Sequence, residues 1–239
     1  MNASFDVVIV GGGVTGAAVG YGLAKRGVKT CLVDAVPTFS RASRANMGLI
    51  WCQSKALGCP QFVRWGFASS RAYGKLAAEL KELSGIDTGY APTGGIIPCL
   101  GEAELEARAQ FIEKLRAETE DGTYPASVLS RKELEGMLPK VPFGPEVSGG
   151  IWSDMDGYVD PLHLMFAFRK SFVRLGGTLF AGERVSEVKP SGKGYTVVCG
   201  GRTLECGKAV LAAGLGVRKL AAQLGTDIPV FPNKSQVML

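Results

Sequence analysis

Residues 6–34, DVVIVGGGVTGAAVGYGLAKRGVKTCLVD, decide the fold, because they combine an apolar strand, a glycine turn, a helix and a second strand. Val7–Val10 are four consecutive β-branched residues without polar alternation, which is typical of a parallel strand buried on both faces. The helix is expected to end just before Gly27. The second strand, Thr30–Val33, is followed directly by Asp34. This order predicts the opening of an α/β fold.

Three glycines follow the first strand with the spacing G-x-G-x-x-G, at Gly11, Gly13 and Gly16. The first permits a tight turn, the second lets the backbone approach a pyrophosphate, and the third lets helix and strand pack closely. N–H groups at the helix start favour phosphates, and Asp34 is placed to bind a ribose 2′-hydroxyl. The stretch predicts a dinucleotide site, with FAD or NAD favoured over NADP. The alternative is a glycine turn of another α/β protein, with Asp34 an ordinary strand-end carboxylate.

The composition is that of an ordinary globular chain of 239 residues, with 21% charged and 46% hydrophobic residues. The net charge of +5 is spread without a run of Lys or Arg, so nucleic acid binding is not expected. The N-terminus lacks the basic segment and cleavage site of a signal peptide. Residues 7–24 are apolar, but their glycines fit a strand, turn and helix better than a transmembrane segment.

The cysteines form no CxxC pair and no cluster with histidine; they are Cys31, Cys52, Cys59, Cys99, Cys199 and Cys206. His163 is the one histidine of the sequence, so no metal site is expected. Cysteines without such patterns are typical of a reducing compartment, and we expect a cytoplasmic protein. His163 lies in the first turn of a predicted helix, where a surface or packing role is the simpler interpretation.

Three phrases together resemble the FAD-dependent amine and amino-acid oxidoreductases: GGGVTG at 11–16, YGLAKRGVKTCLVDA at 21–35 and SRANMG at 43–48. This family includes D-amino-acid dehydrogenases, glycine oxidase, sarcosine oxidase and opine oxidase subunits. The resemblance covers essentially all 239 residues, but only the N-terminal part of a family member. It implies either a fragment or a chain whose site a second polypeptide completes.

The resemblance implies a set of residues around an FAD that is held without a covalent bond, since the loop at 43–48 contains no histidine. The set comprises the glycine turn, the strand-end acid, that loop and two later backbone segments. In chain order it is Gly11, Gly13, Val14, Thr15, Gly16, Asp34, Ala35, Ser43, Arg44, Asn46, Met47, Gly48, Val185, Ala213 and Gly214. The alternative for the polar loop is an ordinary solvated turn.

Substrate contacts are expected next to the loop, at Trp51, Gln53 and Lys55, although Trp51 could equally serve packing. By family analogy the reaction is oxidation of a C–N bond in an amine or amino acid, with hydride transfer to flavin N5. No acid–base pair is evident, so no catalytic residue is named. Two alternatives stay open: a flavoprotein that oxidises a hydroxy acid or glycerophosphate, and a non-catalytic FAD-binding subunit.

The fold class expected is α/β, with a Rossmann-type FAD-binding domain built on a parallel sheet and a partial mixed-sheet substrate domain. The first domain is assigned to residues 1–87 and 148–224, and the second to 88–147 and 225–239. Helical spacing predicts a long helix from Pro60 to Leu83. A strand pair is expected to begin within 228–239.

Gly13→Val should abolish FAD binding, because a branched side chain would occupy the place of the pyrophosphate. Flavin absorbance that co-purifies with the protein measures this, and a variant that stays yellow would contradict the prediction.

Overall fold

The computed structural model describes residues 3–36, 41–53, 55, 58–119 and 124–233. The chain packs as two compact units. The first contains the residues up to Met47, Ala78–Thr88 and those from Asp160 onward; the second contains Gly48–Ala77 and Gly89–Val159.

Strands and helices alternate through the first third of the chain, as the sequence predicts for an α/β fold. The strands are β1 Ala3–Val10, β2 Thr30–Asp34, β3 Leu49–Ile50, β4 Gly95–Leu100, β5 Ser127–Ser130, β6 Val147–Ser153, β7 Gly157–Tyr158, β8 Thr178–Ala181, β9 Val185–Ser191, β10 Gly194–Cys199 and β11 Arg202–Leu211. The helices are α1 Val14–Ala24, α2 Arg41–Arg44, α3 Pro60–Ser84, α4 Gly101–Ala117, α5 Arg131–Met137, α6 Pro161–Arg174 and α7 Val217–Ala222, with a 3-10 turn at Gly214–Gly216.

The first unit is built on a six-stranded sheet in the order β8-β2-β1-β11-β10-β9. β1 lies between β2 and β11 and runs parallel to both, whereas β10 is antiparallel to β11 and to β9. Val8 packs with Cys31 and Leu204 on one face of the sheet. A Cβ added to Gly20 of α1 would lie 3.5 Å from Ile9, so the opposite face meets the helix. Both faces of β1 are therefore covered, as its unbroken apolar run predicts.

Helix boundaries in this unit follow from local signals. Gly27 has φ +73°, a left-handed conformation that ends the segment after α1. Asp160 caps α6, because its side chain accepts hydrogen bonds from the backbone N–H groups of Leu162 and His163, with Pro161 in the first turn. The long helix predicted from Pro60 to Leu83 is confirmed as α3, Pro60–Ser84, most of which belongs to the second unit.

The second unit carries a three-stranded sheet in the order β4-β6-β5, in which both pairings are antiparallel. A two-stranded antiparallel pair joins β3 to β7. The sequence predicts a mixed sheet here, but parallel neighbours do not occur among the described strands of this unit. Its core contains the buried side chains Val63, Phe67, Cys99, Ile112, Leu115, Tyr124, Ala126 and Ile151.

Packing groups the chain differently from the domains assigned above. Residues 48–77 and 148–159 pack with the second unit, because β3 pairs with β7 and because β6 is the central strand of the three-stranded sheet. The strand pair expected within 228–239 does not begin in residues 228–233, which form no strand. Pro229 and Pro232 lack the N–H groups that a ladder needs. Residues 234–239 lie outside the described part.

Across the described residues, no helix combines the length and apolarity that crossing a membrane requires.

Phe172→Ala should lower the free energy of unfolding by about 3 to 5 kcal/mol, the usual loss for an aromatic residue of the core. Its ring is fully buried, and it packs so closely on Gly177 that a Cβ added there would collide with it. Val173→Ala is the control, since Val173 is 47% exposed and should change stability by less than about 0.5 kcal/mol. Urea unfolding measures both, and equal losses would contradict the packing described.

Candidate cofactor site

The glycine turn after β1 is held between backbone segments. The N–H of Gly11 donates to the carbonyl of Val33 at 2.8 Å, and the N–H of Ala212 donates to that of Val10 at 2.8 Å. Gly11 has φ +104°, and a Cβ there would collide with the Ala212 oxygen. A Cβ on Gly16 would collide with the Gly11 oxygen. Side chains at Gly11 and Gly16 are therefore excluded by backbone atoms.

Helix α1 begins at this turn, with Val14 as its first residue. Gly13 is the N-cap and supplies no side chain, and the first turn contains no acidic residue. The N–H of Val14 donates to Ser43 Oγ at 2.9 Å, so two of the predicted cofactor residues lie together. Thr15 is exposed. The positive end of the helix dipole is left without a carboxylate of its own, which suits an anionic ligand.

The acid at the end of β2 is fixed by three groups. Asp34 Oδ2 accepts from the Gly12 N–H at 2.5 Å and Oδ1 accepts from the Val36 N–H at 2.7 Å. Arg169 Nη2 lies 3.5 Å from Oδ2, and Asp34 and Arg169 are both buried. Sequence reasoning missed Arg169. The spacing of residues in α6 could have indicated that Arg169 is buried. It stands four residues after Met165 and three before Phe172, on a helix face that is otherwise apolar.

The loop predicted to lie along the cofactor is ordered by its own side chains. Asn46 Nδ2 donates to the carbonyls of Ala42 and Ser43 at 3.1 and 3.0 Å. Arg44 and Met47 are exposed, whereas Gly48 is buried and belongs to the second unit. The arrangement leaves Arg44 and Met47 accessible to a ligand, and their role stays a prediction.

The later backbone segments also meet the turn. A Cβ on Gly11 would lie 2.8 Å from the Cα of Ala213, which follows β11, and Gly214 begins the 3-10 turn. The Glu183 N–H donates to the Asp34 carbonyl at 2.9 Å, two residues before Val185 at the start of β9. Ala35 is half-buried beside Asp34. Predicted residues from distant parts of the sequence thus gather at the carboxyl ends of β1, β2 and β11, where α/β sheets bind ligands.

The residues expected to contact substrate lie in the second unit. Gln53 is 1% exposed, and its Nε2 donates to the Gly95 carbonyl at 2.9 Å and to Asp156 Oδ2 at 2.7 Å. A Cβ on Gly95 would lie 2.6 Å from the ring of Trp51. These contacts favour packing roles for Trp51 and Gln53. Lys55 is exposed, and a substrate contact there stays a prediction.

Asp156 holds this segment through hydrogen bonds to residues about a hundred positions earlier, and no sequence motif marks it. Besides Gln53, it accepts the Cys52 N–H at 2.5 Å through Oδ1. Burial raises the pKa of the Asp156 carboxyl, while the hydrogen bonds from Cys52 and Gln53 act in the opposite direction.

Metal ligation finds no support in the described ranges, since no three His, Cys, Asp or Glu side chains there are placed to hold an ion. His163 is exposed, with Nδ1 3.7 Å from Asp160 Oδ2. All six cysteines are free, and burial raises the pKa of the Cys31 thiol to about 12.

Asp156 should make the free energy of unfolding depend on pH. Burial raises the pKa of Asp156 in the folded state. The stabilisation that this raised pKa gives the folded protein is therefore complete below the unfolded-state pKa of about 3.9, and it is lost as pH rises through the folded-state pKa. Wild type should therefore lose stability relative to Asp156→Asn between about pH 4 and pH 7. Urea unfolding of both proteins at the two pH values measures this; a difference that grows in favour of wild type would contradict it.

Sequence comparisons place the chain among flavoproteins. Residues 6–239 match the family model described as FAD dependent oxidoreductase. An opine oxidase subunit of Agrobacterium tumefaciens (strain Ach5) is 35% identical over 235 residues, which cover 98% of this chain and 62% of that protein. Glycine oxidase of Geobacillus kaustophilus (strain HTA426) is 28% identical over 239 residues, which cover 100% of this chain and 62% of that protein.

The fold agrees with these relatives. The crystal structure of glycine oxidase from Geobacillus kaustophilus matches with a TM-score of 0.85 at 28% identity, covering 94% of this chain and 59% of that one. The chain thus spans less than two thirds of the length of its relatives. The α/β fold class and the family resemblance expected from the sequence are confirmed. On the match over residues 6–239, the chain belongs to the FAD dependent oxidoreductase family.

Proposed function

We propose that this chain binds FAD without a covalent bond and forms the cofactor-binding part of an oxidoreductase that oxidises a C–N bond of an amine or amino acid. The observation that carries the proposal is the glycine turn, at which the ends of three parallel strands meet the start of α1. A Cβ on Gly11 or Gly16 would collide with backbone there, so the turn is as tight as a diphosphate site needs.

The residues at the turn fit the parts of FAD. The diphosphate would lie on the N–H groups at Gly13–Gly16, where the helix dipole favours negative charge. Asp34 would accept a hydroxyl of the adenosine ribose, since each of its oxygens has one backbone donor and retains acceptor capacity. The loop at 43–48 and the backbone at Val185 and at 213–214 would line the remainder.

The bound flavin would supply the electron acceptor for C–N oxidation. The chain's own part is to bind and orient that group. Ser43 fixes the start of α1 through the Val14 N–H, and Asp156 fixes the segment at 51–53, next to exposed Lys55. We name no catalytic residue, because the described residues include no acid–base pair that the arrangement singles out.

The names of two relatives, which specify glycine and opines, support this substrate class. Both are amines that carry a carboxylate. One of these relatives is named as a single subunit of an opine oxidase, which supports a second polypeptide that completes the site. The free thiols support a cytoplasmic location, where disulfides are rare.

The substrate class is tested by flavin reduction. The FAD-loaded protein, alone and with candidate partner polypeptides, is mixed without oxygen with glycine, other amino acids and opines, and in parallel with 2-hydroxy acids and glycerophosphate. Loss of the oxidised-flavin absorbance with the amines supports the proposal. Loss with hydroxy acids or glycerophosphate alone would contradict it in favour of C–O oxidation. Bound flavin that no substrate reduces, with or without partner, would favour a non-catalytic FAD-binding subunit.

A further inference from the structure

Arg169 is a buried cation next to Gly12 of the glycine turn, and the proposed function gives it no role. It lies on α6, its side chain is 6% exposed, and its Nε and Nη2 atoms have no hydrogen-bond partner. A buried guanidinium is costly unless its charge is offset. The acidic side chain that the structure pairs with it is Asp34, at 3.5 Å.

Three groups converge at Gly12. A Cβ added to Gly12 would lie 2.8 Å from Arg169 Nη2 and 2.8 Å from Asp34 Oδ2. The Gly12 N–H also donates to that oxygen. Because Gly12 has no side chain, the Arg169 guanidinium can come close to Asp34 Oδ2. The other carboxylate oxygen, Oδ1, accepts the Val36 N–H. Removing the guanidinium would leave Asp34 as a buried negative charge held only by backbone dipoles.

A bound dinucleotide would increase the need for a positive charge beside Asp34. A dinucleotide would bring negative phosphates to the start of α1, beside the turn whose Gly12 N–H donates to the Asp34 carboxylate. Like charges repel strongly where little water screens them. The positive charge of Arg169 would offset this repulsion and would keep the Asp34 carboxylate in the orientation that binds the ribose hydroxyl.

We propose that Arg169 is a positioning residue for the adenosine ribose, acting through Asp34. The inference depends on the proposed function, because it assumes that FAD binds at this turn. It assigns to Arg169 the orientation of Asp34 and the offset of its charge, and it predicts that recognition of the 2′-hydroxyl is lost when the guanidinium is removed.

The test measures the Kd for FAD of the full chain, and the Kd for ADP and 2′-deoxyADP by competition. Wild type should prefer ADP by about tenfold, the scale of a hydrogen bond to a charged group. In Arg169→Met this preference should fall toward unity, with FAD binding about tenfold weaker. Arg169→Lys should recover part of the loss. Lys170→Met is the matched control: it removes one positive charge from an exposed neighbour on the same helix and should retain wild-type values.

A second comparison separates positioning from a loss of folding. Asp34→Ala and the double variant Asp34→Ala/Arg169→Met should bind FAD equally weakly, because once the Asp34 carboxylate is gone the guanidinium has nothing to orient and its removal costs no further affinity. Thermal unfolding without FAD reports any stability loss separately from the Kd. The inference is overturned if Arg169→Met and Arg169→Lys keep the wild-type preference for ADP, or if the double variant loses a further tenfold in Kd. Wild type that binds no FAD would instead overturn the proposed function.

Discussion

The close approach of backbone at the β1–α1 turn is the constraint on which the rest of the site depends. Gly11 sits against the carbonyl of Ala212, and Gly16 sits against the carbonyl of Gly11, with no room for a Cβ at either position. This contact brings the end of β11 to the start of α1, although about two hundred residues of chain separate them. Because the strands are parallel, their carboxyl ends and the helix N-terminus face the same edge of the sheet.

Electrostatics at that edge are arranged around one buried carboxylate. Asp34 accepts N–H groups from Gly12 of the turn and from Val36 after β2, and it faces Arg169, while the start of α1 contributes its dipole. An acidic side chain at the end of β2 would repel a diphosphate if it stood alone. Under the proposed function, the buried cation and the helix start would offset that repulsion, so that a ribose hydroxyl and phosphates could bind side by side.

Local features of the fold were predictable from sequence because each has a short-range cause. Three of them depend only on residues nearby in the sequence: the apolar strand at Val7–Val10, the helix end before Gly27 and the helix cap at Asp160. The capping box of Ser130 and Glu133 has the same kind of short-range cause, since its two residues are three positions apart. By contrast, the pairing of β1 with β11 is a long-range contact that periodicity cannot reveal, and it is seen only in the structure.

The parts that sequence did not predict are buried polar contacts and the grouping of segments. Arg169 and Asp156 act through partners far away in sequence, so neither follows a motif. Residues 148–159 pack with the second unit because β6 is the central strand of its sheet, a fact that depends on strand order. The strands expected to begin at 228 fail in 228–233, where Pro229 and Pro232 interrupt the donors of a ladder.

The central claim is that the N–H groups of the glycine turn hold the FAD diphosphate. The most direct measurement is an NMR titration of the isotope-labelled protein with FAD, following the backbone amides from Gly13 to Gly16 and that of Ser43. The account predicts large shifts at these amides that saturate at one FAD per chain, and smaller shifts at the amide of Gly27, past the other end of α1. Saturable FAD binding that leaves the amides of the turn unchanged would contradict it.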